Sequence, residues 1–98
     1  MARFDVYAGA RGKGYLLDCQ ANLLSILTSR VVVPLVPGSG LPVTPRLNPI
    51  FNIDGEDYVM MTQQIFAIPN ERLGKPVTSL VEEDRSIINA IDLLLTGV

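Results

Sequence analysis

The chain has 98 residues, which is enough for one small domain (residues 1–98) and too few for two. Apolar residues make up 48% of it and charged residues 18%, a composition that excludes a disordered acidic or basic tail. Eight Lys and Arg stand against ten Asp and Glu, so the basic surface of a nucleic-acid or membrane-surface protein is missing. A chain this small cannot hide so much apolar surface, so we expect an oligomer interface or a partner surface.

The residue types that are absent exclude several kinds of catalytic and metal-binding site. Without His there is no imidazole base for a Ser or Cys triad and no imidazole metal ligand. The single cysteine, Cys19, cannot form an internal disulfide, so a reducing cytoplasm is the expected compartment, and its strand-like context predicts a buried, unreactive thiol. We expect no signal peptide, because an acid follows at Asp5, and no membrane span, because no apolar run reaches ~18 residues.

Two alternating segments, residues 3–7 and 15–20, predict a β-hairpin at the start of the chain. The side chains expected on its core face are Phe4, Val6, Tyr15, Leu17 and Cys19. Residues 8–14 between the strands contain three glycines and predict a loop. Because this loop lacks the Gly-Lys-Ser/Thr ending and the following helix of a phosphate-binding loop, phosphate binding is disfavoured.

The β-branched run at residues 30–36 predicts a strand that is buried on both faces. Pro34 lies within it, and because proline has no amide hydrogen to donate, we expect a sheet edge or a bulge there. Residues 37–49 carry four prolines and two glycines and predict an irregular connection.

The dipeptide Asp54-Gly55 between two apolar segments predicts a hairpin with a two-residue type I′ turn. Counting outward from this turn pairs Ile53 with Glu56, Phe51 with Tyr58 and Ile50 with Val59. The side chains expected to share one face are Phe51, Ile53, Tyr58 and Met60. Another short strand is predicted at residues 64–68, ended by Pro69.

From about Glu82 the apolar residues recur every three to four positions, which predicts a C-terminal helix ended by Gly97. The acids at residues 82–84 are favourable near the helix N-terminus; adjacent helix side chains diverge, so a solvated first turn is favoured over a metal or acid/base site. Apolar residues cover more than half of the circumference, so one side is expected on the sheet and the rest against a second subunit. The recurring residues are Ile87, Ala90, Ile91, Leu94, Leu95 and Val98.

These elements predict a mostly β fold, a small barrel-like sheet of five to seven strands with one C-terminal α-helix. The residues offer no catalytic or metal-binding grouping, so we expect no enzyme activity, no metal and no cofactor. From the residues alone the chain is interpreted as a dimeric protein-binding module.

The order of five motifs resembles the CcdB toxin family over essentially the whole chain. The motifs are FxVY at 4–7, LDxQAxLL at 17–24, RVVVPL at 30–35, MMTQQ with AIP at 60–69, and INAIDxLxxGV at 88–98. The resemblance implies an SH3-like barrel with a C-terminal helix that forms a homodimer. It also implies a toxin that binds the A subunit of DNA gyrase and traps it on cleaved DNA without catalysis, and that a CcdA-type antitoxin neutralises.

The resemblance also implies where the contacts lie, in the segment after the second strand and at the end of the helix. The implied gyrase-binding residues are Leu23, Leu24, Asp92, Thr96, Gly97 and Val98. The expected dimer interface consists of Ile91, Leu94, Leu95 and Val98. Residues 8–14 and 37–49 are candidate antitoxin contacts, because loops often carry recognition.

Three positions depart from a well-studied form of the family. That form ends in Trp-Gly-Ile where this chain ends in Thr96-Gly97-Val98, and Asp92 stands where an amide is found. Truncating an interface Trp commonly costs ~2–4 kcal/mol of binding, so we expect a retuned contact with the target.

Several alternatives stay open at this point. Leu23 and Leu24 would be structural residues if they cap the hairpin core. Gly97 would be structural if it only ends the helix, and Val98 would be structural if it is buried between subunits. A second hypothesis is that the chain is a MazF-like ribonuclease toxin with the same barrel, which would require Arg30 or Arg46 as an electrostatic catalyst. A third is a non-toxic family member that keeps dimerisation and antitoxin binding.

Overall fold

The computed structural model describes residues 2–9, 14–38 and 43–97, and within these ranges it contains seven β-strands and one α-helix. The strands are β1 (Asp5–Ala8), β2 (Tyr15–Asp18), β3 (Ser29–Pro37), β4 (Ile50–Ile53), β5 (Glu56–Met60), β6 (Phe66–Pro69) and β7 (Thr78–Ser79). The helix is α1 (Asp84–Thr96), and short 3₁₀ turns occupy Asn22–Leu24, Thr62–Gln64, Asn70–Arg72 and Val81–Glu83.

All the strands belong to one antiparallel sheet in the order β4-β5-β3-β2-β1-β7, and β6 pairs with the first part of β3. The sheet curls into a half-barrel, and α1 packs part of one face against its core. The predicted fold, mostly β with one C-terminal helix, is therefore confirmed, as is the first hairpin, in which Val6 lies opposite Leu17.

The central strand β3 shares one of its edges between two strands. β6 pairs with Ser29–Val32 and β5 with Leu35–Pro37. Pro34 lies between the two pairings, and its carbonyl oxygen accepts a hydrogen bond of 2.9 Å from the Met61 backbone N–H. The sequence predicted an edge or a bulge at Pro34, and the structure provides a local gap in which no strand requires its missing amide hydrogen.

The second hairpin has the register predicted from Asp54-Gly55. Ile50 lies opposite Val59, Phe51 opposite Tyr58, and Ile53 opposite Glu56. Asp54 has a φ of 53° and Gly55 a φ of 87°, as a type I′ turn requires. Glycine takes such a φ without the steric cost that a Cβ atom would add, which explains why this dipeptide sets the register of both strands.

The core has two parts because β3 is buried on both faces. The larger cluster lies between the sheet and α1 and contains Phe4, Val6, Leu17, Cys19, Val33, Leu35, Phe51, Ile53, Met60, Leu80, Ile87 and Ala90. The smaller cluster lies on the opposite face and contains Tyr7, Val32 and Leu73. The predicted burial of residues 30–36 on both faces and the predicted core faces of the two hairpins are confirmed.

The helix α1 and the strand β6 each begin two positions later than the sequence predicts. The α-helix begins at Asp84 and not at Glu82, because Val81–Glu83 forms a 3₁₀ turn. The last long strand begins at Phe66 and not at residue 64, because Thr62–Gln64 turns away and the Thr62 hydroxyl donates to the Leu47 carbonyl oxygen. Ile88, which is not among the recurring apolar residues of the predicted helix, also packs against the larger core cluster.

Candidate protein-binding site

Residues 21–28, here called the aliphatic loop, connect β2 to β3 and are all exposed. Leu23 is 89% exposed and Ile26 is 86% exposed, and Leu24 and Leu27 are also exposed. The alternative in which Leu23 and Leu24 cap the hairpin core is therefore wrong. These side chains are available to a partner.

The backbone of the aliphatic loop is closed by local hydrogen bonds and fixed to the sheet. The Leu24 N–H donates to the Ala21 carbonyl oxygen at 2.9 Å, and the Leu27 N–H donates to the Leu24 carbonyl oxygen at 3.1 Å. The Gln20 side-chain amide donates to the same Leu24 carbonyl oxygen at 2.8 Å, while its Oε1 accepts from the Val31 N–H at 3.2 Å. Gln20 therefore connects the middle of the loop to the start of β3.

Asn70 fixes the other end of the loop. Its side-chain amide donates to the Leu27 carbonyl oxygen at 2.9 Å, and its backbone N–H donates to the Thr28 carbonyl oxygen at 2.9 Å. The backbone is thus satisfied by the protein itself while the aliphatic side chains face solvent. This arrangement presents apolar groups in a fixed conformation.

A buried ion pair lies beneath the start of the loop. Arg30 Nε donates to Asp18 Oδ2 at 2.8 Å, Arg30 Nη2 lies 2.6 Å from the same oxygen, and both side chains are fully buried. The other carboxylate oxygen, Asp18 Oδ1, accepts from the Gln20 backbone N–H at 3.0 Å. Because Arg30 is buried and paired, it is not available to a substrate in solution, and its proposed part in a ribonuclease site is wrong.

The end of α1 holds the other residues implied for binding. Asp92, Thr96 and Gly97 are exposed, and the Thr96 hydroxyl donates to the Asp92 carbonyl oxygen at 2.7 Å. Gly97 has a φ of 75°, and its N–H donates to the Leu93 carbonyl oxygen at 3.0 Å, so it does end the helix. Since Gly97 is also exposed, this structural role is compatible with contact to a partner.

The residues expected at a dimer interface differ in exposure. Leu95 is 69% exposed, Leu94 is half-buried, and Ile91 is half-buried against the core. Val98, expected both at the dimer interface and at the gyrase contact, lies outside the described residues.

The structure keeps the two predicted parts of the binding surface on separate elements. α1 packs against the larger core cluster through Ile87 and Ala90, whereas the aliphatic loop lies between β2 and β3. Among the residues that the structure describes, no hydrogen bond joins the aliphatic loop to the end of α1. The candidate antitoxin segments, 8–14 and 37–49, lie partly outside the described residues, at 10–13 and 39–42.

In the ranges 2–9, 14–38 and 43–97 no group of three or more Cys, Asp or Glu is placed to hold a metal ion. Cys19 is buried as predicted, and burial, helped by the charge of Asp18, raises the pKa of its thiol to about 12. Within the same ranges, no helix combines the length and apolarity that crossing a bilayer requires.

The sequence-based prediction of the site missed Ile26 and Leu27. It also missed the side-chain amides of Gln20 and Asn70, which donate hydrogen bonds to the loop backbone. A signal for the first two was present: four large aliphatic residues occur in eight positions that carry no charge and fit neither a strand nor a helix period. The contact of Asn70 with the loop depends on a separation of 43 positions, which local patterns do not encode.

The curled antiparallel sheet, its packed C-terminal helix and the exposed aliphatic loop are typical of a small protein-binding domain. A family model described as CcdB protein matches residues 3–97, nearly the whole chain. The chain therefore belongs to the CcdB family, the toxins of toxin–antitoxin systems.

Proposed function

We propose that this toxin acts by binding the A subunit of DNA gyrase and trapping the enzyme on cleaved DNA, without performing a reaction itself. A CcdA-type antitoxin would neutralise it by forming a complex. The family match over residues 3–97 carries this proposal, together with an aliphatic loop whose side chains face solvent. Both partners would meet the toxin in the reducing cytoplasm that its single cysteine predicts.

The proposed gyrase contact combines the aliphatic loop with the end of α1. Leu23 and Leu24 supply apolar area; full burial of an exposed Leu side chain contributes about 1.5–3 kcal/mol. Asp92 adds a negative charge, which favours a cationic group on gyrase. The Thr96 hydroxyl donates its hydrogen bond to the Asp92 carbonyl oxygen, so the Thr96 methyl group is the part available for apolar contact. Gly97 and Val98 complete the proposed surface.

The toxin is proposed to act as a homodimer whose interface includes the exposed side of α1. Leu95 is 69% exposed and lies beside the half-buried Leu94, so a partner subunit would bury apolar surface at both residues. Ile91 and Val98 would flank this contact. Ile91 also packs against the core, so the fold already buries part of its side chain and the proposed interface would bury more of it.

The proposal is tested by expressing the toxin in bacteria with and without its antitoxin, and by measuring binding of purified toxin to purified gyrase A subunit. Wild type should arrest growth unless the antitoxin is present, and it should bind the subunit. Leu23→Asp should lose both effects, because it places a charge in the proposed apolar contact. Val81→Asp is the matched control, since Val81 is exposed beside the N-terminus of α1, where an acid is favourable.

Three results would decide against the proposal or part of it. Growth arrest without gyrase binding would contradict the target. Harmless expression of folded toxin that binds the antitoxin would favour the non-toxic alternative. Normal gyrase binding by Leu23→Asp would contradict the proposed contact surface.

A further inference from the structure

We propose that Ile26 and Leu27 are also binding residues for the gyrase A subunit, so that the aliphatic loop is one docking surface with four apolar side chains. This inference rests on the proposed function, because it extends the contact assigned there to Leu23 and Leu24. It adds to the site two residues that the motifs of the family did not indicate.

The first argument is the density of exposed apolar side chains. Single exposed leucines are common and need no explanation. Here four large aliphatic residues fall within eight consecutive exposed positions, and Ile26 is nearly as exposed as Leu23. Large apolar side chains that are exposed so close together in a small chain favour an interaction site.

The second argument is that the surface is pre-formed. Ile26 lies between Leu24 and Leu27, and the carbonyl oxygens of both accept side-chain amide hydrogen bonds, from Gln20 and Asn70 respectively. A partner therefore does not have to order the loop backbone when it binds. Because ordering a mobile segment opposes association, a fixed apolar loop retains more of its contact energy as affinity.

The third argument concerns the occupant. The homodimer is proposed to form through α1, and among the described residues no hydrogen bond joins the loop to the end of that helix, so the loop is left for a different partner. The loop carries no charged residue, which fits an apolar patch on the partner. Ile26 and Leu27 belong to the same connection between β2 and β3 as Leu23 and Leu24, which the proposed function assigns to gyrase, so we assign the same target to all four.

The test compares two Ile→Thr variants, which both keep a β-branched side chain and both replace an exposed isoleucine. Ile26→Thr lies in the loop, and Ile50→Thr is the control on β4. Binding of purified gyrase A subunit to Ile26→Thr should be about ten-fold weaker than to wild type, and binding to Ile50→Thr should stay within about two-fold. Because the loop is uncharged, the defect of Ile26→Thr should be the same at low and high salt.

Antitoxin affinity and oligomeric state are measured for the same variants, and both should equal those of wild type. Normal gyrase binding by a folded Ile26→Thr would overturn the inference, and so would a loss that falls on antitoxin binding or on the dimer. If wild type itself does not bind the gyrase subunit, the proposed function fails. That result differs from a failure at Ile26 alone.

Discussion

The side-chain amide of Asn70 donates a hydrogen bond of 2.9 Å to the carbonyl oxygen of Leu27, which lies 43 positions earlier in the chain. The backbone N–H of Asn70 donates to the neighbouring Thr28 carbonyl oxygen. One residue directly after β6 therefore fixes the end of the aliphatic loop. The apolar side chains of the loop face solvent although nothing in the local sequence forces them to do so.

Replacing Asn70 with Asp should loosen the aliphatic loop while leaving the sheet intact. The change keeps the shape of the side chain but directs a carboxylate oxygen at the Leu27 carbonyl oxygen, so an attraction becomes a repulsion. The expected loss of stability is about 1–3 kcal/mol. Hydrogen exchange should become faster at the amides of Leu24, Ser25 and Leu27, whose N–H groups close the loop.

The control for this variant is Asn89→Asp, the same change at an exposed position on α1. The effect of Asn70→Asp should fade below about pH 4, where the new carboxyl group becomes protonated and regains a donor. Unchanged exchange in the loop of Asn70→Asp would contradict the role assigned to this hydrogen bond.

The buried ion pair predicts a strong asymmetry between single and double substitutions. Asp18→Leu leaves the Arg30 guanidinium buried without its carboxylate, and the free energy of unfolding should fall by about 3–5 kcal/mol. The double variant Asp18→Leu with Arg30→Met removes both charges and should be more stable than Asp18→Leu alone. Urea titration of both proteins measures the difference, with the exposed Glu82→Gln as a control expected within about 0.5 kcal/mol of wild type. Equal stability of single and double variants would refute the coupling.

Cys19 predicts a loss of stability at alkaline pH. In the folded protein burial raises the pKa of the thiol to about 12, whereas in the unfolded chain the thiol ionises near pH 8.5. Between these values the unfolded state releases a proton that the folded state keeps, so stability is full below about pH 8.5 and falls as the pH rises. The slope from this group is at most about 1.4 kcal/mol per pH unit.

The measurement is denaturant unfolding at several pH values between 8 and 11, with Cys19→Ala as the comparison. Cys19→Ala should show a smaller slope. Some slope should remain above pH ~10, because burial also raises the pKa of Tyr7. Identical slopes in the two proteins would mean that ionisation of the Cys19 thiol does not contribute to the pH dependence of the free energy of unfolding.

Leu95→Arg should convert the proposed dimer into a monomer without unfolding it. The leucine is 69% exposed in the single chain, so the fold does not need it, but an arginine would carry a charge into an apolar contact between subunits. Ser86→Arg is the control, because residue 86 lies nine positions earlier on the exposed opposite side of α1. Light scattering should give half the wild-type mass for Leu95→Arg and the wild-type mass for Ser86→Arg. A persistent Leu95→Arg dimer would place the interface elsewhere.

The elements that could be predicted from the sequence are those in which neighbouring residues favour a single backbone conformation. Asp54-Gly55 determines a turn type, and the turn type fixes each pairing from Ile53 with Glu56 outward. The alternation of residues 3–7 and 15–20 and the period of α1 work in the same way. The predicted start of α1 was wrong by two positions, because a 3₁₀ turn and an α-helical turn place the acids at residues 82–84 in similar surroundings.

The features that could not be predicted depend on contacts between distant parts of the chain. Pro34 lies within the central strand only because β5 and β6 divide one edge of β3. The exposure of Ile26 and Leu27 depends on Asn70 and Gln20, whose amide groups hold the loop backbone. The resemblance implied partner contacts for Leu23 and Leu24 only, and the folded structure shows that Ile26 and Leu27 are exposed beside them in the chain.

Whether the toxin poisons gyrase is decided by mixing purified toxin with DNA gyrase, plasmid DNA and ATP, and by measuring DNA that remains cleaved and covalently joined to gyrase after denaturation. Cleaved DNA should accumulate with wild-type toxin and with Val81→Asp, Leu23→Asp should not produce it, and added antitoxin should prevent it. No accumulation of cleaved complex with folded wild-type toxin, or cleavage of DNA or RNA by the toxin when gyrase is left out, would show that the toxin does not act by poisoning gyrase.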